Sequence, residues 1–194
     1  MLRRSALLAP LVAVTLAGCG VNSIPTAEEN AKAKWADVQN EYQRRADLIP
    51  NLVNTVKGYA GQESKVLIGV TEARARAGSV QLSADDLRDP AKVQQYANAQ
   101  NGLSLALNQL RPLQEAYPDL KSNANFMALQ SQLEGTENRI TIARRDYNES
   151  VQAYNTRIRT FPDAVGAKIF YGAKPMVPFQ ATAANAEAAP SVNF

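Results

Sequence analysis

Histidine is absent from all 194 residues, and cysteine occurs once, at Cys19. These two shortages exclude more chemistry than any other feature of the chain. A single thiol cannot close a disulfide within the chain. Zinc sites built on Cys and His, Ser-His-Asp or Cys-His catalysis, and the Glu-x-x-His irons of helix bundles each lose a required ligand or base. No metal, no cofactor and no catalytic residue is therefore expected, and the chain reads as a non-enzyme. An excess of one charge is lacking too, since 21 Lys and Arg face 18 Asp and Glu. Two of those basic residues, Arg3 and Arg4, lie in a segment expected to be removed, so what remains is near neutral and points to no nucleic-acid partner. No stretch alternates apolar and polar residues as a strand does.

What is present begins with Met1-Leu2-Arg3-Arg4, a short positive region ahead of an apolar run from Ser5 to Leu16. That run is shorter than the roughly 20 residues a membrane-spanning helix needs. It ends in Leu16-Ala17-Gly18-Cys19, which resembles the lipobox of bacterial lipoproteins. There the chain is cut between Gly18 and Cys19, the thiol is diacylated with palmitate-class chains, and the new amine is acylated. Residues 1–18 thus read as a lipoprotein signal peptide and 19–26 as a lipidated tether, with Cys19 holding the mature chain to a membrane. The alternative, an uncleaved anchor with an incidental buried cysteine, leaves the position of the one cysteine unexplained. Each buried methylene contributes about 0.8 kcal/mol, and more than one acyl chain makes anchoring stable. Gly20 stands where an aspartate would resemble an inner-membrane retention signal. In a Gram-negative source this points to the periplasmic face of the outer membrane.

Downstream, the periodicity is helical throughout. Thr26 and Glu29 fit a capping box. Trp35, Val38, Tyr42, Ile49, Leu52, Val56 and Tyr59 recur at spacings of three, four and seven, predicting a helix over 27–60 with a kink at Pro50. A second helix is expected over 62–77, carrying Val66, Val70 and Ala73 and stopping at Gly78. Asp89-Pro90 pairs an N-cap with proline at the first helical position and starts a third, running to 116. The fourth, 123–160, places Phe126, Leu129, Leu133, Ile140, Ala143, Tyr147, Val151, Tyr154, Ile158 and Phe161 within an arc of about 100°. Val165, Ile169, Phe170 and Tyr171 are expected to pack across one end, and residues 180–194 read as an alanine-rich disordered tail. The expected architecture over 27–179 is all-α, an antiparallel four-helix bundle with long first and last helices.

Several polar residues stand near the apolar faces. Glu137, Arg144, Asn148 and Asn155 project within about 40° of one another beside the last helix's arc. They form either a polar groove for a ligand or partner helix, or a buried hydrogen-bond network that fixes helix register. Arg45 falls about 20° from the centre of the face that carries Val38, Tyr42, Ile49 and Val56. A guanidinium there needs a carboxylate, and Glu137 is the acid near the facing arc, so a pair is expected between them. The competing reading lets Arg45 reach solvent past Tyr42. Arg44, Asp47 and Asn51 read as surface or a partner contact, Arg74 and Arg76 as a solvated face, and Asp85 and Asp86 as caps or surface.

Two segments resemble the LemA family. One is Tyr42-Gln43-Arg44-Arg45-Ala46-Asp47-Leu48-Ile49-Pro50-Asn51-Leu52-Val53, continuing through Thr55-Val56-Lys57-Gly58-Tyr59-Ala60 to Glu63. The other is Glu115-Ala116-Tyr117-Pro118-Asp119-Leu120-Lys121, then Phe126, Leu129-Gln130, Thr136-Glu137-Asn138, Ala143-Arg144-Arg145, Tyr147-Asn148 and Tyr154-Asn155. Order and spacing match over roughly residues 30–172. The resemblance implies a helical bundle held at a membrane on the extracytoplasmic side, in a family of unsettled activity. The lipobox is a departure from members that begin with a membrane-spanning helix, and the alanine-rich tail is another. The function so implied is a non-enzymatic, membrane-tethered interaction module of the cell envelope with an envelope protein partner. The alternatives are a sensor that binds a small ligand or peptide in the polar groove, and a regulator of an envelope protease or translocation system.

Overall fold

The computed structural model describes residues 22–61 and 63–180, and all regular structure among them is helical. Four long helices are α1 (Ser23–Tyr59), α2 (Ser64–Ser79), α3 (Pro90–Asn108) and α4 (Ala124–Arg157). Short helical turns fill the connections at Asp86–Arg88, Arg111–Ala116, Pro118–Lys121 and Asp163–Gly166, and a π-helical turn covers Ala167–Tyr171. The cleavage site at Gly18 and Cys19 and the tail from residue 181 lie outside the described residues.

Contacts at the helix ends give the directions. Ser23 Oγ donates to Asp163 Oδ2 at 2.8 Å, and Asn123 Nδ2 donates to Tyr59 Oη at 2.8 Å, so α1 and α4 run antiparallel along their whole length. α2 turns back along α1, with Arg74 reaching Ala46 and the Leu82 carbonyl reaching Gln39. α3 runs parallel to α1, setting Tyr96 against Tyr42 and Gln100 against Arg45. α1 packs chiefly on α4 and α2 on α3, whereas α3 barely touches α4.

The long pair is held by a seven-residue repeat. Buried positions on α1 are Ile24, Ala31, Trp35, Val38, Tyr42, Arg45, Ile49, Leu52 and Val56. On α4 they include Thr136, Ile140, Ala143, Tyr147, Ser150 and Tyr154. Steps of three and four alternate in both. Such a repeat keeps one seam of each helix against its partner over many turns, where an irregular apolar face would drift off.

Several boundaries differ from the sequence expectation, as does the packing after the last helix. α2 begins at Ser64 and runs through Gly78 to Ser79 instead of stopping at that glycine, which is tolerated inside a helix. α1 starts at Ser23, and Thr26 Oγ1 donates back to the Asn22 carbonyl at 2.8 Å instead of forming a capping box. The third helix stops at Asn108, because Pro112 has no N–H to offer that residue's carbonyl, and a new short helix starts at Arg111. α4 ends at Arg157, which leaves Phe161 beyond its last turn and 85% exposed instead of on the core face. Val165, Ile169, Phe170 and Tyr171 likewise point outward and do not cover the end of the body.

Pro50 does not end the first helix, which runs on unbroken to Tyr59. The ring removes the N–H that would serve the carbonyl four residues earlier, at Ala46. Arg74 of α2 supplies the substitute: its Nε donates to the Ala46 carbonyl at 2.8 Å, from a half-buried position and not from a solvated face. Arg76 does stay exposed, 3.6 Å from Glu72. Arg74→Met is therefore expected to cost about 1 kcal/mol of stability. In a Pro50→Ala background, where a restored N–H takes the Ala46 carbonyl, the same change is expected to cost a few tenths at most. A double-mutant cycle by urea unfolding checks this, and equal losses in both backgrounds would show that water serves the carbonyl.

Candidate functional site

Arg45 is the only charged residue among the buried positions of α1, and its side chain is 1% exposed. Nη1 donates to Glu137 Oε1 and to Ser104 Oγ, both at 2.8 Å. Nη2 donates to Gln100 Oε1 at 2.7 Å and to the Gln100 carbonyl at 3.2 Å. The Tyr42 ring lies beneath, 5.0 Å from Cζ, and Nε has no partner. Gln100 Nε2 in turn donates to the Ala77 carbonyl at 3.4 Å, bringing α2 into the same network. One guanidinium thus joins α1, α3 and α4 directly and α2 at one remove. The Glu137 side chain is 44% exposed, so the anion stands at the rim while the cation is inside.

Glu137 does not share a site with the other three residues of its stripe. Arg144, Asn148 and Asn155 hold the extended segment 173–180, which runs back along α4 after the turn at Gly172 (φ 53°). Asn155 Nδ2 donates to the Met176 carbonyl at 2.8 Å, and the Met176 N–H donates to Asn155 Oδ1 at 2.9 Å. Asn148 repeats the clamp on Phe179, at 2.9 and 2.8 Å. Tyr154 Oη donates to the Lys174 carbonyl at 3.1 Å and Tyr147 Oη to that of Val177 at 3.0 Å. Two Tyr-Asn pairs seven residues apart therefore bind backbone three residues apart. Seven helical residues rise about 10.5 Å, and three extended residues span about 10 Å. Pro175 and Pro178 need no partner for N–H, and Val177 N–H donates to the Leu87 carbonyl at 2.8 Å.

Phe179 ends the strap against Trp35 and Tyr147, with both ring centroids at 5.6 Å, and Arg144 covers its other face at 5.0 Å. Arg144 Nη2 also donates to the Gln180 carbonyl at 3.2 Å. Of the remaining candidates, Arg44, Asp47 and Asn51 are exposed, and Asp47 accepts from Gln43 at 2.7 Å. Asp86 accepts from the Ser83 backbone at 2.9 Å and pairs with Lys92, while Asp85 pairs with Arg88 at 3.1 Å.

Where α3 and α4 diverge, a cavity of about 480 Å³ opens. Leu52, Leu107, Leu110, Phe126 and Leu133 give it an apolar floor, and Ser104, Arg111, Gln130, Glu134 and Glu137 stand on its polar rim. Sequence reasoning missed Gln100, Ser104 and the whole strap. Gln100 was visible in principle, since it interrupts the stripe Val93, Tyr96, Ala97 and Leu103. The strap carried no periodic signal.

The chain matches the model of the LemA family over residues 34–194. It is similar to the magnetosome proteins MamQ 1 and MamQ 2 of Paramagnetospirillum magneticum, 24% identical over 157 residues that cover 73% of this chain and 58% of each relative. The MamQ of Magnetospirillum gryphiswaldense is 25% identical over the same shares. Protein LemA of Metamycoplasma hominis is 27% identical over 121 residues, covering 62% of this chain and 51% of that protein. The chain thus spans little more than half the length of the curated relatives it matches.

Breaking the Arg45 pair from its two sides is expected to give unequal losses. Glu137→Leu leaves a buried cation on neutral acceptors and is expected to cost about 3 kcal/mol. Arg45→Met leaves a carboxylate that water reaches, and is expected to cost about 1 kcal/mol, mostly through Gln100. Unfolding free energies of the two variants check the asymmetry; an equal or reversed order would overturn it.

A second expectation concerns alkali. Burial pushes the phenols of Tyr42, Tyr96, Tyr147 and Tyr154 above their usual range. The folded chain keeps protons that the unfolded chain releases near pH 10, so this stability is complete below about pH 10 and is lost as pH rises beyond it. With no histidine to titrate, the thermal midpoint should stay level between about pH 6 and 9 and fall from about pH 10 upward. A midpoint still level at about pH 12 would contradict this.

Proposed function

The chain belongs to the LemA family, and we propose that it is a non-catalytic, lipid-tethered helical interaction module of the bacterial cell envelope. The observation that carries the reading is how the polar side chains of the core are used. Arg45, Gln100, Ser104 and Glu137 spend their donors and acceptors on one another, and Asn148 and Asn155 spend theirs on the chain's own strap. Such networks fix register and shape, and leave recognition to surfaces.

We read the four long helices as an antiparallel bundle whose α3–α4 seam is left open. The helical start at Ser23 takes residues 23–26 of the expected tether into α1, so on this reading the tether is shorter than 19–26. None of the described helices is long and apolar enough to cross a membrane; on this reading attachment is by the lipid on Cys19. On the same reading the body stands outside the cytoplasm, and at the outer membrane in a Gram-negative source. A second reading is favoured by the cavity: its volume and its apolar floor with a polar rim suit a small ligand or a peptide side chain.

Feeding cells an alkyne fatty acid tests the tether. Label is expected on the wild-type chain and not on Cys19→Ser, which should accumulate as precursor or leave the membrane fraction. Equal label on both would overturn the reading. A photo-crosslinking residue in place of Gln130, on the cavity rim, is expected to capture an envelope protein in the same cells.

A further inference from the structure

Where α4 ends, the body carries an apolar surface that none of the described residues covers. Phe161, Val165, Ile169, Phe170 and Tyr171 are exposed within eleven residues, with Phe161 at 85% and Phe170 at 70%. Other large exposed apolar residues, Ile68, Leu105 and Ile142, are on three different helices. The outward set is held in place and does not hang loose. Pro162 follows the end of α4, and Ala167 turns inward to 2% exposure. The Ala173 N–H donates to the Ala167 carbonyl at 3.0 Å, and the strap anchors everything downstream. A fold that fixes aromatic rings in an outward position, beside a core that buries Trp35 and Phe179, has not simply run out of core.

Charge on the same stretch has one sign. Between residues 157 and 174 lie Arg157, Arg159, Lys168 and Lys174, against the single acid Asp163. Asp163 accepts the Ser23 hydroxyl at 2.8 Å. Among the described residues Arg159, Lys168 and Lys174 make no ion pair. Apolar and aromatic residues interspersed along the chain with cations that make no ion pair match the chemistry of an anionic bilayer interface.

The covalent chain leads to the same place. Ser23 touches Asp163, and Arg157 Nη1 reaches the Ser23 carbonyl at 3.4 Å, so α1 starts inside this surface. Cys19 lies four residues before Ser23, and four extended residues span at most about 14 Å.

We infer that this end of the body is a membrane-docking face: the five apolar side chains enter the interfacial layer of the bilayer, and the four cations meet anionic headgroups. The inference rests on the tethered reading, because the lipid at Cys19 is what keeps this face at the membrane. The tether supplies attachment and the face supplies orientation. With this end down, α1 stands away from the bilayer for 37 residues, about 55 Å.

The test uses the full chain purified from its membranes and reconstituted into vesicles of phosphatidylcholine and phosphatidylglycerol (3:1). A fluorescent reporter is placed by Phe170→Trp, or by Leu105→Trp on exposed α3 as the comparison, over the constant background of buried Trp35. With brominated lipids, the reporter at 170 is expected to shift to the blue and lose at least half of its emission, and the one at 105 to stay solvent-like. In the unacylated Cys19→Ser chain, Arg159→Glu with Lys168→Glu should weaken partitioning onto these vesicles about fivefold or more per charge removed, and phosphatidylcholine alone should bind less. Both changes are at exposed positions, and an unaltered thermal midpoint confirms the fold.

A vesicle-bound chain whose reporter at 170 stays solvent-like overturns the docking face and leaves the tether standing. Quenching at 170 in a chain that carries no acyl label supports the face and overturns the tether. A blue shift without bromine quenching, in a chain that sediments as a dimer, assigns the surface to a second copy and overturns the proposal.

Discussion

A guanidinium stays charged at every pH a folded protein meets, so a helix that turns one into its core commits its neighbours to providing acceptors. Arg45 imposes this condition at the centre of the structure. Its acceptors come from α3 and α4, and Gln100 carries the network to α2. An apolar residue in its place would leave α1 freer to slide by two turns against α4, because the seven-residue repeat looks much the same one heptad along. With the arginine present, a slip strands a buried cation. The repeat makes the long helices adhere, and Arg45 fixes which residues face each other.

The strap solves the same problem farther down α4. A helix end flanked by aromatic side chains has to be closed, and the chain closes it with its own backbone. Because Tyr147, Asn148, Tyr154 and Asn155 bind carbonyls and N–H groups, the match depends on spacing more than on side chains. Met176 and Phe179 add buried side-chain anchors, and the half-buried Ala173 and Val177 pack against the same core. The stripe whose projection suggested one groove or one buried network is therefore two structures, divided between Glu137 and Arg144.

How much of this was legible in the sequence follows from the range of each interaction. The helical class and the long outer helices follow from a periodicity repeated over many turns. The facing of Arg45 and Glu137 follows from two projections, one per helix, because each lies on or beside an apolar arc. Local geometry hid the rest. Pro112 broke the third helix through a missing N–H to Asn108, a signal present in the chain but outweighed by the leucines around it. Arg74 could be placed only once α2 was known to lie over Ala46. The outward turn of residues 161–171 required knowing where α4 stops, and a three-residue error there reverses which face Phe161 is on.

The position of Glu137 also limits what the α3–α4 cavity can accept. The carboxylate lines the cavity and at the same time serves the buried arginine. A cationic ligand drawn to Glu137 competes with Arg45, and withdrawing the carboxylate leaves the guanidinium on neutral acceptors, at a cost of about 3 kcal/mol that binding must first overcome. A neutral ligand meets no such opposition, whereas an anion faces both Glu134 and Glu137 on the rim. The neutral ligand can leave the pair intact, lie on Leu52, Leu107, Phe126 and Leu133, and reach Arg111 on the rim. The network that fixes helix register therefore ties up Glu137 against a cation, while Glu134 on the same rim lies outside the Arg45 contacts.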